Sequence, residues 1–202
     1  LVNDLRNVTT EKPFFLYLCP GACHAPHQAP PEFIERHRGR FDSGWDVARA
    51  ETFANQLASG ILPEGTELTP RPHWIPAWDS LDEDHRRVYA RGMKVYAGFL
   101  SHTDHHIGRL VEHLERTGDL DNTVFLVLSD NGTSPEGGEH GSSNVNQWYN
   151  GLPQTFEEVA AHVDELGGPE SFGHYPFGWA HAGNTPFQKW KREVHEGGVA
   201  DP

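Results

Sequence analysis

Two compact apolar runs punctuate the chain, Phe14-Phe15-Leu16-Tyr17-Leu18-Cys19 and Val124-Phe125-Leu126-Val127-Leu128. A continuous run of this length fits a strand buried on both faces, as in a parallel sheet. The first is ended by Pro20-Gly21, the second by Ser129-Asp130-Asn131-Gly132. Between them Val88, Tyr89, Val95, Tyr96, Phe99, Leu100, Ile107, Leu110, Val111 and Leu114 recur at three- and four-residue steps. That period predicts one amphipathic helix. Ser80, with Glu83 three residues on, reads as its capping box, and Gly118 as its end. A helix of roughly 37 residues spans about 55 Å. Gly92, Gly98 and Gly108 allow it to bend or to pack closely. A helix leading into a strand, with an earlier strand upstream, suggests βα units joined by right-handed crossovers, and so an α/β fold.

The remaining pattern is weaker. Helices are expected over residues 32–38, 45–59 and 156–166, and residues 1–12 read as helix or loop. Pro63, Pro70, Pro72 and Pro76 make residues 61–79 an ordered surface excursion. Residues 133–150 read as a Gly/Ser-rich loop over the carboxyl edge of the sheet, and residues 167–187 show no period. The segment from Gly21 to Pro31 carries too many prolines for regular structure. His24 and His27 therefore lie on a rigid loop just past a strand end.

Composition narrows the function. The chain has 202 residues, enough for one domain with a core. Its 21 Gly and 15 Pro imply many loops, but the apolar runs argue against disorder. A formal net charge of −13, with 16 Lys and Arg, speaks against general binding of nucleic acid or of an anionic membrane. No apolar stretch reaches the 18 residues of a membrane-spanning helix. Cys19 and Cys23 make no disulfide framework, and the compartment is not legible. A start at Leu1-Val2-Asn3-Asp4, which is neither Met nor a signal peptide, suggests a piece of a longer protein.

Several residues offer chemistry. Asp130 and Asn131 sit at the carboxyl end of a predicted strand, where open α/β sheets bind ligands. Their oxygens suit Ca²⁺ or Mg²⁺, although Asp-Asn-Gly also suits a simple turn. Gly132 lets the backbone turn sharply or approach a ligand. His24, pre-positioned between prolines, suits an anion donor or general acid. Lys191, in the single basic patch from Phe187 to Val199, suits an oxyanion. Cys19-x₃-Cys23 with His24 resembles half of a zinc site, but no matching second ligand pair follows. His102, Asp104, His105 and His106 read as the solvated face of the long helix.

Taken together the motifs resemble the sulfatase family, within the alkaline-phosphatase-like superfamily, and the bacterial arylsulfatases in particular. The matching text is Pro13-Phe-Phe-Leu-Tyr-Leu and Gly21-Ala-Cys-His-Ala-Pro-His, then Tyr96-Ala-Gly-Phe-Leu with His102-Thr-Asp and Ile107-Gly-Arg-Leu. It continues through Asp121-Asn-Thr, Ser129-Asp-Asn-Gly and Asn184-Thr-Pro-Phe to Lys191 with Glu196-Gly-Gly. The resemblance implies an alkaline-phosphatase-like sheet with flanking helices, incomplete here, and metal-assisted hydrolysis of small sulfate esters. It implies that Asp130 and Asn131 form half of a Ca²⁺ site, with Mg²⁺ the alternative ion. It implies that His24 contacts the ester and helps the leaving oxygen depart, and that Lys191 binds a sulfate oxygen. The family's Cys-x-Pro-Ser-Arg-type segment, source of its formylglycine nucleophile, is not in the chain. Residues 1–202 are thus expected to be the central part of the catalytic domain, inactive alone, with the nucleophile region and the C-terminal subdomain elsewhere. The competing readings are a phosphodiesterase or phosphonate monoester hydrolase of the same superfamily, and a non-catalytic module whose His-rich loops bind a partner.

Overall fold

A computed structural model of the chain describes residues 2–8 and 12–199. The described helices are α1 (Val2–Val8), α2 (Pro31–Glu35), α3 (Gly44–Ala58), α4 (Glu83–Thr117), α5 (Val145–Tyr149), α6 (Phe156–Ala161), α7 (Phe177–Gly183) and α8 (Glu196–Val199). The periodic middle of the chain is realised as the single 35-residue helix α4, closed by Gly118 at φ 75° as expected. Its start lies later than Ser80. Asp82 is the cap, its carboxylate accepting from the backbone N–H of His85 at 2.9 Å and holding the same residue's ring Nδ1 at 2.8 Å. Ser80 is spent in the preceding 3₁₀ turn, donating to the Ala77 carbonyl. A charged acceptor at the helix N-terminus also meets the positive end of the helix dipole. A true capping box does occur, at Thr155 and Glu158, and opens α6.

The core is aromatic and helical. Trp45 of α3, Trp78 and Trp179 of α7 meet edge to face, with centroids 4.9 to 5.9 Å apart, and Tyr89 of α4 stacks on Trp45 at 5.7 Å. Such pairs each contribute about 0.5–1.5 kcal/mol beyond the area they bury. Residues 61–79 are no mere surface excursion, because Ile75 and Trp78 are almost fully buried in this cluster. Where α2 crosses α4, a Cβ at Gly98 would lie 2.7 Å from the Ile34 backbone. Only glycine lets the two helices approach this closely.

The sheet does not appear. No strand forms among the described residues, which hold only two isolated bridges, Ser142 with His174 and Asn144 with Phe172. Neither apolar run takes regular structure; Val124 to Leu128 is exposed throughout, and in the first run Phe14 and Leu16 are half-buried while Phe15 is 88% accessible. The expectation of strands buried on both faces is therefore corrected for this chain. A strand inside a parallel sheet needs partners along both edges and cover on both faces. The described residues supply neither. A hydrogen bond and charge interaction with Cys19, with a smaller contribution from the charge of Asp130 at the end of the second run, push the Tyr17 hydroxyl pKa up.

A buried cation organises the end of the chain. Arg49 of α3 is 4% exposed and donates to the carbonyls of His181, Pro186 and Phe187 and to the hydroxyls of Thr69 and Thr185. No carboxylate pairs with it among these contacts, and desolvation lowers its pKa to about 10. Arg49 thereby fixes the turn over residues 185–187, which leads directly to Lys191.

Candidate active site

The loop from Gly21 to Pro31 is shaped by its own backbone and by the segment opposite it. His24 N–H closes onto the Gly21 carbonyl, while His27 and Ala29 donate to the carbonyls of Gly173 and Gly167. The ring of His24 reaches solvent, and its Nδ1 lies 2.9 Å from the Ala25 carbonyl. A carbonyl can only accept, so the proton sits on Nδ1 and leaves Nε2 with its lone pair. That Nε2 faces Lys191 Nζ at 3.3 Å, across 167 positions of sequence. The two residues proposed for the ester are thus brought together.

Lys191 is held from two further sides. Its backbone N–H donates to Thr133 O at 3.0 Å, tying it to the loop that follows Asp130-Asn131-Gly132. Its ammonium also lies 3.3 Å from Oε2 of Glu136. Glu136 is 7% exposed, and the same oxygen accepts from the hydroxyls of Ser134 at 2.9 Å and Tyr149 at 3.1 Å. Burial pushes the carboxyl pKa up, but Ser134, Lys191 and Tyr149 outweigh it and hold the pKa below the usual range. Arg192, next to Lys191, adopts φ 81°, a left-handed conformation unusual for a side-chain-bearing residue, and stacks its guanidinium over Trp148 of α5 at 4.8 Å. Helix α5 therefore touches the Lys191–Arg192 turn through both Trp148 and the Tyr149–Glu136 pair.

The acidic loop is placed beside this cluster. Asn184 donates from Nδ2 to the carbonyls of Lys189 and Gly197, and its Oδ1 accepts from Thr133 N–H. Gly132 lies against Gly197 so closely that a Cβ would meet the Gly197 carbonyl oxygen at 1.9 Å. Its freedom is used to pass another backbone. Asp130 is exposed and Asn131 partly so. They offer one carboxylate and one amide oxygen, which fits a hard cation in kind. Ca²⁺ takes six to eight oxygens, so two are only part of a site. Among the described residues no group of three or more His, Cys, Asp or Glu is arranged to hold a metal.

The other histidines divide cleanly. His102 and His106, one helical turn apart, meet Nε2 to Nε2 at 3.0 Å, while Arg109 lies against His106 Nδ1. Asp104, His105 and His106 are exposed, as the solvated-face reading expects, and the His102–His106 pair lies on that face. Cys19 and Cys23 are both exposed and free. His27 and His174 are buried with rings 4.6 Å apart, and desolvation lowers both pKa values, that of His174 to about 4. Desolvation also lowers His181 to about 4.

A pH dependence follows. Each of these imidazoles is neutral in the fold, while the unfolded chain titrates near 6.5. Between about 6.5 and 4 the unfolded state binds more protons, so stability falls as pH falls through that window. For His174 alone the difference is up to about 3 kcal/mol. Urea midpoints are expected to drop between pH 7 and pH 5, and to drop less in His174→Gln. Equal midpoints at both pH values would contradict the assignment.

Comparison with known proteins places the chain in a class. The sulfatase family model matches residues 1–191, and the chain belongs to the sulfatase family. It is 33% identical to an uncharacterized sulfatase of Schizosaccharomyces pombe (strain 972 / ATCC 24843), over 100% of this chain and 36% of that protein. It is 30% identical to an arylsulfatase of Klebsiella aerogenes, over 96% of this chain and 40% of that protein. It is 35% identical to an arylsulfatase of Clostridium perfringens (strain 13 / Type A), over 65% of this chain and 24% of that protein. The chain thus spans well under half the length of these relatives.

Proposed function

We propose that this chain is the central part of a hydrolase of sulfate esters, of the arylsulfatase type. The observation that carries this reading is the opposition of Lys191 Nζ and His24 Nε2 at 3.3 Å, beside the Asp130-Asn131 loop. A sulfate ester entering between them would take over the donation that the ammonium now makes to the imidazole. Lys191 then holds a sulfuryl oxygen as a point charge. His24, its Nδ1–H held by the Ala25 carbonyl, turns Nε2 toward the leaving oxygen, and once Nε2 has taken up a proton from solvent the imidazolium passes it to that oxygen. Charge develops on both kinds of oxygen as the S–O bond breaks, so donors fixed in advance lower the barrier. Asp130 and Asn131 would hold part of a Ca²⁺ site, with Mg²⁺ the alternative. That ion would supply positive charge against the sulfuryl oxygens.

The nucleophile in this reading is a formylglycine in a part of the protein outside this chain. The two exposed apolar runs are then strands of an alkaline-phosphatase-like sheet whose partners also lie outside it. The full-length protein carrying this chain is expected to hydrolyse 4-nitrophenyl sulfate, and failure to do so would overturn the reading.

The metal role is tested separately. Thermal stability of the full-length protein is expected to rise with Ca²⁺ and fall with chelator, by about 2.7 kcal/mol at a hundredfold excess over Kd. Asp130→Ala should remove most of that response. An equal response in variant and parent removes Asp130 from the metal site.

A further inference from the structure

Glu136 presents a puzzle for any site that binds an anion. Its carboxylate sits 3.3 Å from the lysine assigned to the sulfuryl group, where it reduces the positive charge offered to the ester. It is nonetheless almost wholly buried, and a single oxygen, Oε2, gathers the Ser134 hydroxyl, the Tyr149 hydroxyl and the Lys191 ammonium. A buried charge persists where paired and hydrogen-bonded. All the groups gathered on Oε2 are donors, and one of them is the side chain that faces His24.

We propose that Glu136 is the positioning residue of the site, fixing the Lys191 ammonium opposite His24 Nε2 before the ester arrives. The inference rests on the hydrolase reading above. A lysine side chain has four rotatable bonds and loses up to about 2 kcal/mol of rotamer freedom when held. Among the described residues, the carboxylate ion-paired with Lys191 is that of Glu136. Glu136 meets that ordering cost in the free protein, so it does not fall on substrate binding. The carboxylate is itself anchored from outside the site. Ser134 lies 3.0 Å from the Nε2 of buried His174, and Tyr149 is carried by α5, which Arg192 clamps through Trp148. Glu136 therefore has Ser134 and Tyr149 behind it and holds the Lys191 ammonium in front.

The test is a double-mutant cycle in the full-length protein, reading kcat/KM for 4-nitrophenyl sulfate. Glu136→Gln keeps the shape and removes the charge, and is expected to cost between about tenfold and about 10²-fold, the scale of a misplaced catalytic group. In a Lys191→Ala background the same change is expected to cost less than about threefold, because the residue it positions is gone. Glu136→Asp should recover part of the loss. Tyr149→Phe, at a partly exposed position, provides a milder variant should Glu136→Gln fold poorly, and its smaller loss should also vanish in the Lys191→Ala background. An equal loss with and without Lys191 overturns the proposal in favour of a structural role. No loss from Glu136→Gln, where Lys191→Ala is itself damaging, overturns it and leaves the hydrolase reading standing. An undamaged Lys191→Ala protein removes Lys191 from the site and overturns this proposal, while turnover of 4-nitrophenyl sulfate by the parent decides the hydrolase reading separately.

Discussion

Lys191→Ala in the full-length protein is expected to lower kcat/KM for 4-nitrophenyl sulfate by about 10²–10³-fold, the usual loss when one preorganised donor to a developing oxyanion is removed. His24→Ala is expected to lose about 10²-fold or more by the same reasoning. The geometry makes the losses interdependent. The ammonium and the imidazole face each other at 3.3 Å, and both must meet the same small group. Residues that act as one unit give losses that do not multiply. Lys191→Arg is not a conservative change here. A planar fork cannot occupy the point where Glu136 Oε2 and His24 Nε2 converge on one nitrogen. Unchanged kinetics in either alanine variant removes that residue from the site.

Arg49→Ala is expected to destabilise the protein by about 3–5 kcal/mol, the scale of breaking a buried charged network. The guanidinium is nearly inaccessible and gathers the carbonyls of His181, Pro186 and Phe187 with two threonine hydroxyls. Its removal leaves several of these acceptors buried without a donor, and each such group costs about 1–3 kcal/mol. The turn it holds leads to Lys191, so activity should fall along with stability. Equilibrium urea unfolding measures the loss. A change below about 1 kcal/mol would show that the turn is held by something other than Arg49.

Periodic and local features were legible in the residues. Helix α4 was read from its apolar steps and ended at Gly118, because an apolar stripe and a left-handed glycine are local signals. Helix α3 appeared within a residue of its expected bounds for the same reason. The cap of α4 was misplaced because Ser80 and Asp82 are both good caps, and the choice depended on which backbone N–H groups were already occupied.

Non-local features were not legible. The burial of Ile75 and Trp78 is decided by α3 and α7, not by the prolines around them. Arg49 looks like any charged helix residue until the chain returns to it more than 130 positions later. The apolar runs at Phe14 and Val124 have the composition of strands, yet no strand forms there, because pairing depends on neighbours that the described residues do not supply. The proposed roles of His24, Lys191, Asp130 and Asn131 come through the family resemblance, since each alone has a bland reading. Glu136 was missed. A single Glu in a Gly-rich loop carries no periodic signal, and its meaning comes from Ser134, Tyr149 and Lys191 closing around it.

His24 and Lys191 together form the proposed site for sulfate esters. The most direct measurement is steady-state hydrolysis of 4-nitrophenyl sulfate beside 4-nitrophenyl phosphate, by the full-length protein and its His24→Ala/Lys191→Ala double variant. The predicted result is turnover that favours the sulfate, with the double variant little worse than the more damaged single one. A parent protein that spares the sulfate, or a double variant as active as the parent, would contradict it.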